Sequence, residues 1–154
     1  MERNCGNCTA CCKTHGIFEF KKLPGKWCPY CHIGKGCKIY SDRPQECQEF
    51  KCAWLSGIGT SEHRPDKTKV VPECRAINGI GMTMWFSELS EGSLNSNFTK
   101  RWTLNNLLHG NCVMHVFLNG NDTLYLSHKI DGSDMAFVMD PGKRKVDIIE
   151  FPES

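Results

Sequence analysis

The sequence lacks the features that mark several common classes of protein. No stretch approaches the roughly 18 consecutive apolar residues that a transmembrane helix needs. The opening MERNCGNC contains no apolar segment of the kind found in secretory signals, so we expect a cytoplasmic protein. There is no G-x-G-x-x-G loop and no paired acid–base signature, which leaves open whether the chain is an enzyme.

The sequence also has no large excess of positive or negative charge. Nineteen Lys and Arg residues stand against seventeen Asp and Glu residues, giving a formal net charge of +2. This balance offers no electrostatic footprint for nucleic acid or for an anionic membrane, and we expect neither as a partner. The basic run at residues 143–145 is expected to be a solvated turn. At 154 residues, 40% of them hydrophobic, the chain is expected to form a single domain over residues 1–154.

Cysteine is the one residue type present in excess. Eleven cysteines occur, and nine of them lie in the first 52 residues. In a protein that is not exported the thiols stay reduced, and closely spaced reduced thiols indicate metal binding rather than disulfides. The odd count also fits complete disulfide pairing poorly, which disfavours a secreted, disulfide-stapled domain.

The two parts of the chain differ in character. Residues 1–55 are rich in Gly, Pro, Lys and Cys and poor in aliphatic runs, so they cannot build a core from their own apolar residues. A bound metal is the natural source of their stability, and we interpret them as a Cys-cluster metal-binding region. Residues 55–69 read as a connecting loop, and residues 70–154 as an α+β remainder.

The remainder carries clear signals for one helix and several strands. Residues 96–109 have helical apolar spacing, with Phe98, Trp102, Leu107 and Leu108 on the apolar side and Gly110 ending the helix. The predicted strands cover residues 82–86, 112–118, 123–128, 135–139 and 146–151, the last four arranged as two hairpins. The predicted fold class is α+β, with a small irregular Cys-rich metal-stabilised N-terminal region packed on a helix and a small antiparallel sheet.

The opening cysteines form the pattern C5-x-x-C8-x-x-C11-C12. A C-x-x-C turn lets two thiolates converge on one soft cation, and a third at the same spacing extends the site. Neighbouring side chains usually diverge, so we expect Cys11 and Cys12 either to face different ions or to include one residue that is not a ligand. Four cysteines in eight residues make buried small hydrophobes a weak alternative.

A second pattern, W27-C-P-Y-C-H32, allows three chemistries: a glutaredoxin-type dithiol, covalent haem attachment, or a metal knuckle. The dithiol needs a strand before it and a helix after it, but both flanks are broken by Gly and Pro. Haem attachment needs export. The knuckle therefore remains, and it supplies Cys28 to a larger thiolate site.

Residues 41–46, SDRPQE, read as the start of a short helix, with Asp42 as its cap. The helix would carry Cys47 and Phe50. Because Cys47 and Cys52 are five residues apart, a continuous helix would separate them by about 140°. Either the helix ends near Lys51 or the two thiols bind different ions.

The stretch from Gly36 to Cys52 reads G-C-K-I-Y-S-D-R-P-Q-E-C-Q-E-F-K-C, and it follows the C-x-x-C-x-x-C-C opening. Together the two stretches resemble the YkgJ-type cysteine-cluster family, whose domain is described as zinc- or iron-chelating. The resemblance covers roughly the first 55 residues and implies metal chelation rather than a reaction. It implies eight metal ligands: Cys5, Cys8, Cys11, Cys12, Cys28, Cys37, Cys47 and Cys52.

Two residues depart from the family pattern. Cys31 stands where the family has an apolar residue, and Lys51 stands where proline is common. Cys31 is a candidate additional ligand, a spare thiol or a buried small side chain, and we favour the last. Lys51 leaves the end of the helix uncertain.

Four other side chains near the cysteines are candidates for supporting roles. Tyr40 and Arg43 are expected to brace the cluster by hydrogen bonds without doing chemistry. His15 and His32 lie near cysteines and are minor alternatives for replacing a thiolate.

The expected ion is Zn²⁺, held in a closed, redox-silent site with a structural or metal-handling role. The alternative is iron, as Fe or a [4Fe-4S] cluster, in a protein with a redox or methylase-like protein-modifying activity. The C-x-x-C-x-x-C opening fits a bacterial ferredoxin, but there the next cysteine follows after three intervening residues, whereas here Cys12 follows at once. Eight thiolates allow two four-thiolate sites or one bridged cluster, and a protein partner is left open and unidentified.

Overall fold

The computed structural model describes residues 2–130, 133–140 and 145–150, with side chains described for residues 2–126. The described chain contains both helices and sheets, so the predicted α+β class is confirmed. None of its helices is long and apolar enough to cross a membrane.

The largest element is a six-stranded sheet in which the strands follow one another in sequence order. The strands are β3 (Val70–Ile77), β4 (Gly81–Glu88), β5 (Cys112–Val116), β6 (Thr123–Ile130), β7 (Ser133–Asp140) and β8 (Lys145–Glu150). Neighbouring strands are antiparallel except for β4 and β5, which run parallel. The sheet is therefore mixed, and the parallel pair departs from the predicted antiparallel sheet.

The crossover between β4 and β5 contains the predicted long helix, α4 (Asn97–Leu108). The Ser96 hydroxyl caps it by accepting from the backbone N–H of Thr99 at 3.1 Å. Gly110 follows the helix end with a φ of +83°, which glycine adopts at little cost. Leu107 is buried as predicted, but Leu108 is 42% exposed, so the prediction that both leucines face the core is wrong.

Both predicted hairpins are present among the described residues. Strands β5 and β6 pair around residues 119–122, and β7 pairs with β8. Residues 141–144 and residue 151, which were included in the second predicted hairpin and in the basic run, lie outside the described residues. Lys145, the last residue of that run, begins β8.

The two faces of the sheet are covered by different parts of the chain. Successive strand residues point to opposite faces, so Val70 and Val71 separate. Val70 joins Phe86 and Trp102 in the main core, on the side that α4 covers. Val71 packs instead with Ala10 of the N-terminal region. The sheet therefore serves as a platform for the Cys-rich region.

The N-terminal region contains only short elements: α1 (Cys11–Thr14), β1 (Cys31–His32), β2 (Gly36–Cys37) and α2 (Gln45–Glu49). Helix α2 is the helix predicted from residues 41–46, and it carries Cys47. Its N-cap is Pro44 and no side chain caps it, so the prediction of Asp42 as the cap is wrong. Asp42 instead ends a separate 3-10 turn that spans Tyr40–Asp42.

Residues 55–69 are more structured than a connecting loop. They contain a 3-10 turn at Ser61–His63 and the short helix α3 (Pro65–Thr68). Pro65 occupies the first helical position, where its missing N–H costs nothing. This segment leads directly into β3, so it fixes where the edge strand starts.

The buried His115 on β5 predicts a specific pH dependence of stability. It is 4% exposed, its Nε2 lies 2.8 Å from the Thr103 hydroxyl, and burial lowers its pKa to about 4. Between pH 6.5 and 4 the unfolded chain binds the proton more readily than the folded chain. The free energy of unfolding should therefore decrease as the pH is lowered through this range, by up to about 1.4 kcal/mol per pH unit. Urea unfolding at several pH values should show this slope.

The control for that measurement is His115→Gln, which keeps a group able to hydrogen-bond Thr103 but does not titrate. The slope between pH 6.5 and 4.5 should be shallower in this variant than in the unaltered protein. Equal slopes in the two proteins would contradict the assignment to His115.

Candidate metal centre

All eleven cysteines are free thiols. Seven of the eight predicted ligands line a single cavity of about 310 Å³, and only Cys52 lies outside its lining. Apolar side chains, including Phe20, Ile39 and Phe50, complete much of the wall. The structure therefore brings together cysteines that are up to 42 positions apart in sequence, from Cys5 to Cys47.

Cys5, Cys8 and Cys52 form what we call the three-thiol group. The backbone N–H of Cys8 donates to the carbonyl of Cys5 at 2.9 Å, which closes the first C-x-x-C turn. Cys8 and Cys52 both pack on the apolar cluster around Val71. Burial raises the pKa of the Cys52 thiol, and the charges of Cys5 and Cys8 raise it further, so the three sulfurs interact.

The five-thiol group consists of Cys11, Cys12, Cys28, Cys37 and Cys47. The N–H of Cys28 donates to the carbonyl of Cys12 at 2.9 Å, which ties the C-x-x-C turn at residues 28–31 to α1. Burial raises the pKa of Cys47, and the charges of Glu46, Cys12, Cys28 and Cys37 add to that effect. All five of these cysteines line the cavity.

The structure bears on two sequence-based expectations about these thiols. Interaction with the neighbouring Cys11 thiol is the largest cause raising the pKa of Cys12. The expectation that these two cysteines face different ions, or that one of them is not a ligand, stays a prediction. For Cys47 and Cys52, helix α2 ends at Glu49, before Cys52, which is the first of the two alternatives given by the sequence.

The thiols do not form a ready-made coordination sphere. Within the part of the chain that the structure describes, no three His, Cys, Asp or Glu side chains are grouped as a metal ion requires. A cysteine has a single side-chain torsion, so its sulfur moves by changing that torsion while the backbone stays fixed. The donor set, unpaired thiols around one cavity, fits a thiophilic ion once the sulfurs turn inward.

A buried lysine lies beside the five-thiol group. Lys22 donates to the carbonyls of Lys13 at 3.2 Å, Leu23 at 3.3 Å and His15, which hold its ammonium group in place. Burial lowers the pKa of Lys22, and the charges of Cys28 and Cys12 oppose that shift. A cation here offsets the repulsion among thiolates. No local pattern marks this lysine as inward-facing, so sequence analysis missed it.

His15 lines the cavity but both of its ring nitrogens are already engaged. Nδ1 lies 2.9 Å from the Thr14 hydroxyl and Nε2 lies 3.0 Å from Glu73 Oε2. Burial alone would raise the pKa of Glu73, but hydrogen bonds from His15 and Arg75 outweigh it and lower the pKa to about 2. His15 therefore anchors the N-terminal region to β3. The other histidine considered, His32, is exposed on β1.

Tyr40 and Arg43 both line the cavity, as their predicted bracing role requires. The Arg43 guanidinium lies 3.7 Å from the Tyr40 ring centroid, and its Nε donates to the Tyr40 carbonyl at 2.8 Å. These contacts join the two residues to each other, so they rigidify the rim. Their predicted hydrogen bonds to the ligands remain a prediction.

Cys31 is partly exposed, so the expectation that it is a buried small side chain is wrong. Burial raises the pKa of its thiol to about 11, and the charge of Cys12 adds to that effect. The remaining two cysteines lie on the sheet, Cys74 exposed and Cys112 buried.

No protein-family model, curated protein or solved structure matches this chain. The resemblance to the YkgJ-type family therefore rests on the cysteine spacing and the residues between the cysteines. It remains a prediction.

Proposed function

We propose that this chain is a metal-binding protein of the cysteine-cluster type, which holds zinc, or iron, through its N-terminal thiolates. The observation that carries the proposal is the cavity lined by seven of the eight predicted ligands, none of them in a disulfide. Soft thiolates select zinc or iron over hard cations. In the zinc form the ion would have a structural or metal-handling role.

Backbone donors aimed at sulfur support the binding of thiolates. The N–H of Leu55 donates to Cys52 Sγ at 3.4 Å. Interaction with the backbone of Ala10 lowers the pKa of Cys8, although burial has the larger, opposite effect. Hydrogen bonds to the charged form favour it, and in metal sites such contacts orient the ligand. Both contacts belong to the three-thiol group.

The alternative cofactor is an iron–sulfur cluster, and the apolar part of the cavity wall favours it. Phe20, Ile39 and Phe50 would shield a cluster from water, and solvent exposure is one of the factors that set its potential. When bound, such a cluster would supply electron transfer or support a protein-modifying activity. The residues described here would then ligate it and exclude solvent.

The test is elemental analysis of anaerobically purified protein, with a visible spectrum and an assay for acid-labile sulfide. We expect at least one zinc or iron per chain, with a colourless sample for zinc and a dithionite-bleached brown sample for a cluster. Cys12→Ser together with Cys28→Ser should lower the metal content, whereas Cys74→Ser, an exposed cysteine on the sheet, should not. Absence of both metals from the unaltered protein would refute the proposal.

A further inference from the structure

The backbone around Cys31 places it near three of the predicted ligands, Cys28, Cys12 and Cys37. Its N–H donates to the carbonyl of Cys28 at 3.0 Å, which closes a C-x-x-C turn, and the N–H of Cys28 donates to Cys12. In the small β1–β2 ladder Cys31 lies directly opposite Cys37. One turn and one strand pair therefore meet at this residue.

The pairing with Cys37 brings the two side chains to the same face. Next to it in the ladder, Tyr30 lies opposite Lys38, and this pair is hydrogen-bonded because the N–H of Lys38 donates to the carbonyl of Tyr30 at 2.9 Å. Pairs alternate along an antiparallel ladder, so Cys31 and Cys37 occupy a non-hydrogen-bonded position, where side chains lie closest. The strand pair is only two residues long on each side, so it holds these two cysteines and little else.

The hairpin that carries Cys31 is also tied to the opening cysteine segment. The backbone N–H of Gly34, in the turn between β1 and β2, donates to the Thr9 hydroxyl at 3.0 Å. Cys31 does not line the main cavity. Partial exposure removes the hydrophobic reason for a cysteine at this position.

We propose that Cys31 is a ninth metal ligand, joining the five-thiol group through Cys12, Cys28 and Cys37. This inference rests on the proposed function. It assigns to Cys31 the second position of a C-x-x-C knuckle whose first position, Cys28, is already a predicted ligand. Six thiolates are enough for two tetrahedral ions when two of them bridge, whereas five are not.

The experiment is alkylation of the intact, metal-loaded protein with iodoacetamide, followed residue by residue by mass spectrometry. A thiolate held by a metal reacts slowly, so Cys31 should be labelled at least about tenfold more slowly than in chelator-treated protein. Cys28 should be protected in the same way. Cys74, exposed and on the sheet, is the internal reference and should react equally fast with and without metal.

The outcomes separate the two proposals. If Cys28 is protected and Cys31 reacts as fast as Cys74, the protein binds metal and Cys31 is not a ligand. If metal is absent and no cysteine is protected, the proposed function itself fails. Cys31→Ser adds an independent measurement: zinc affinity by chelator competition should fall about 10- to 100-fold, as loss of even a supporting contact costs that much. Cys74→Ser should leave the affinity unchanged.

Discussion

If the protein binds metal as proposed, removing the metal from anaerobically purified protein is expected to unfold residues 5–52 and to leave the sheet folded. Of the buried hydrophobic residues in the described chain, only Ala10, Ile17 and Cys28 come from this region. Its helices are four and five residues long, too short to be stable alone in water. Structural zinc contributes on the order of 10 kcal/mol to folding, and apolar burial cannot replace it here.

Amide hydrogen exchange before and after chelation measures this directly. Protection should be lost in α1, α2 and the β1–β2 ladder, and retained in β4, β5 and α4, whose core is formed by other residues. Adding zinc back should restore the protection. Unchanged protection of residues 5–52 in metal-free protein would show that the region is held by its packing on the sheet.

Packing on the sheet is not negligible, which makes the control variant important. The N-terminal region contacts β3 through the His15–Glu73 pair, and Lys13 Nζ donates to the Leu89 carbonyl at 2.8 Å. Partly exposed ion pairs contribute about 1 kcal/mol or less, well below a structural zinc site. Glu73→Gln should therefore leave exchange protection of the metal-loaded region nearly unchanged, whereas chelation should abolish it.

The parts of the fold that sequence predicted are those with local causes. Ser96 as a cap and Gly110 as a terminator mark α4 because both act within one turn of the helix ends. The turn at residues 119–122 likewise fixes the β5–β6 hairpin. Strand β3 was missed because Pro72 and the charged Glu73 and Arg75 interrupt its pattern, and as an edge strand it tolerates them.

The candidate site likewise combines features that local sequence predicts with features that depend on long-range contacts. Spacing identified the cysteines, but it could not predict their grouping, because Cys52 and Cys8 are brought together by packing on Val71. The parallel pairing of β4 with β5 is likewise a long-range event, made across the α4 crossover. His15 meets Glu73, a residue 58 positions away, and no local signal connects the two.

The Cys-rich region and the core lie on different faces of the sheet, so their stability has separate sources. The face with Val71 carries the Cys-rich region, and the face with Val70 and Phe86 carries α4. A substitution in the α4 core should therefore weaken the protein without altering the predicted ligands. Truncating a buried side chain of that core tests this separation.

Phe86→Ala is expected to lower the free energy of unfolding by about 3–5 kcal/mol, the usual cost of truncating a fully buried phenylalanine. Phe86 is 0% exposed, and its ring centroid lies 4.6 Å from that of Trp102. Its loss leaves a cavity between β4 and α4 and removes an aromatic contact. Denaturant unfolding of the metal-loaded protein measures the change, and metal content at low temperature should stay at the level of the unaltered protein.

The control is Phe86→Leu, which fills most of the cavity and should recover at least half of the lost stability. An alanine variant as stable as the original would contradict the core described here.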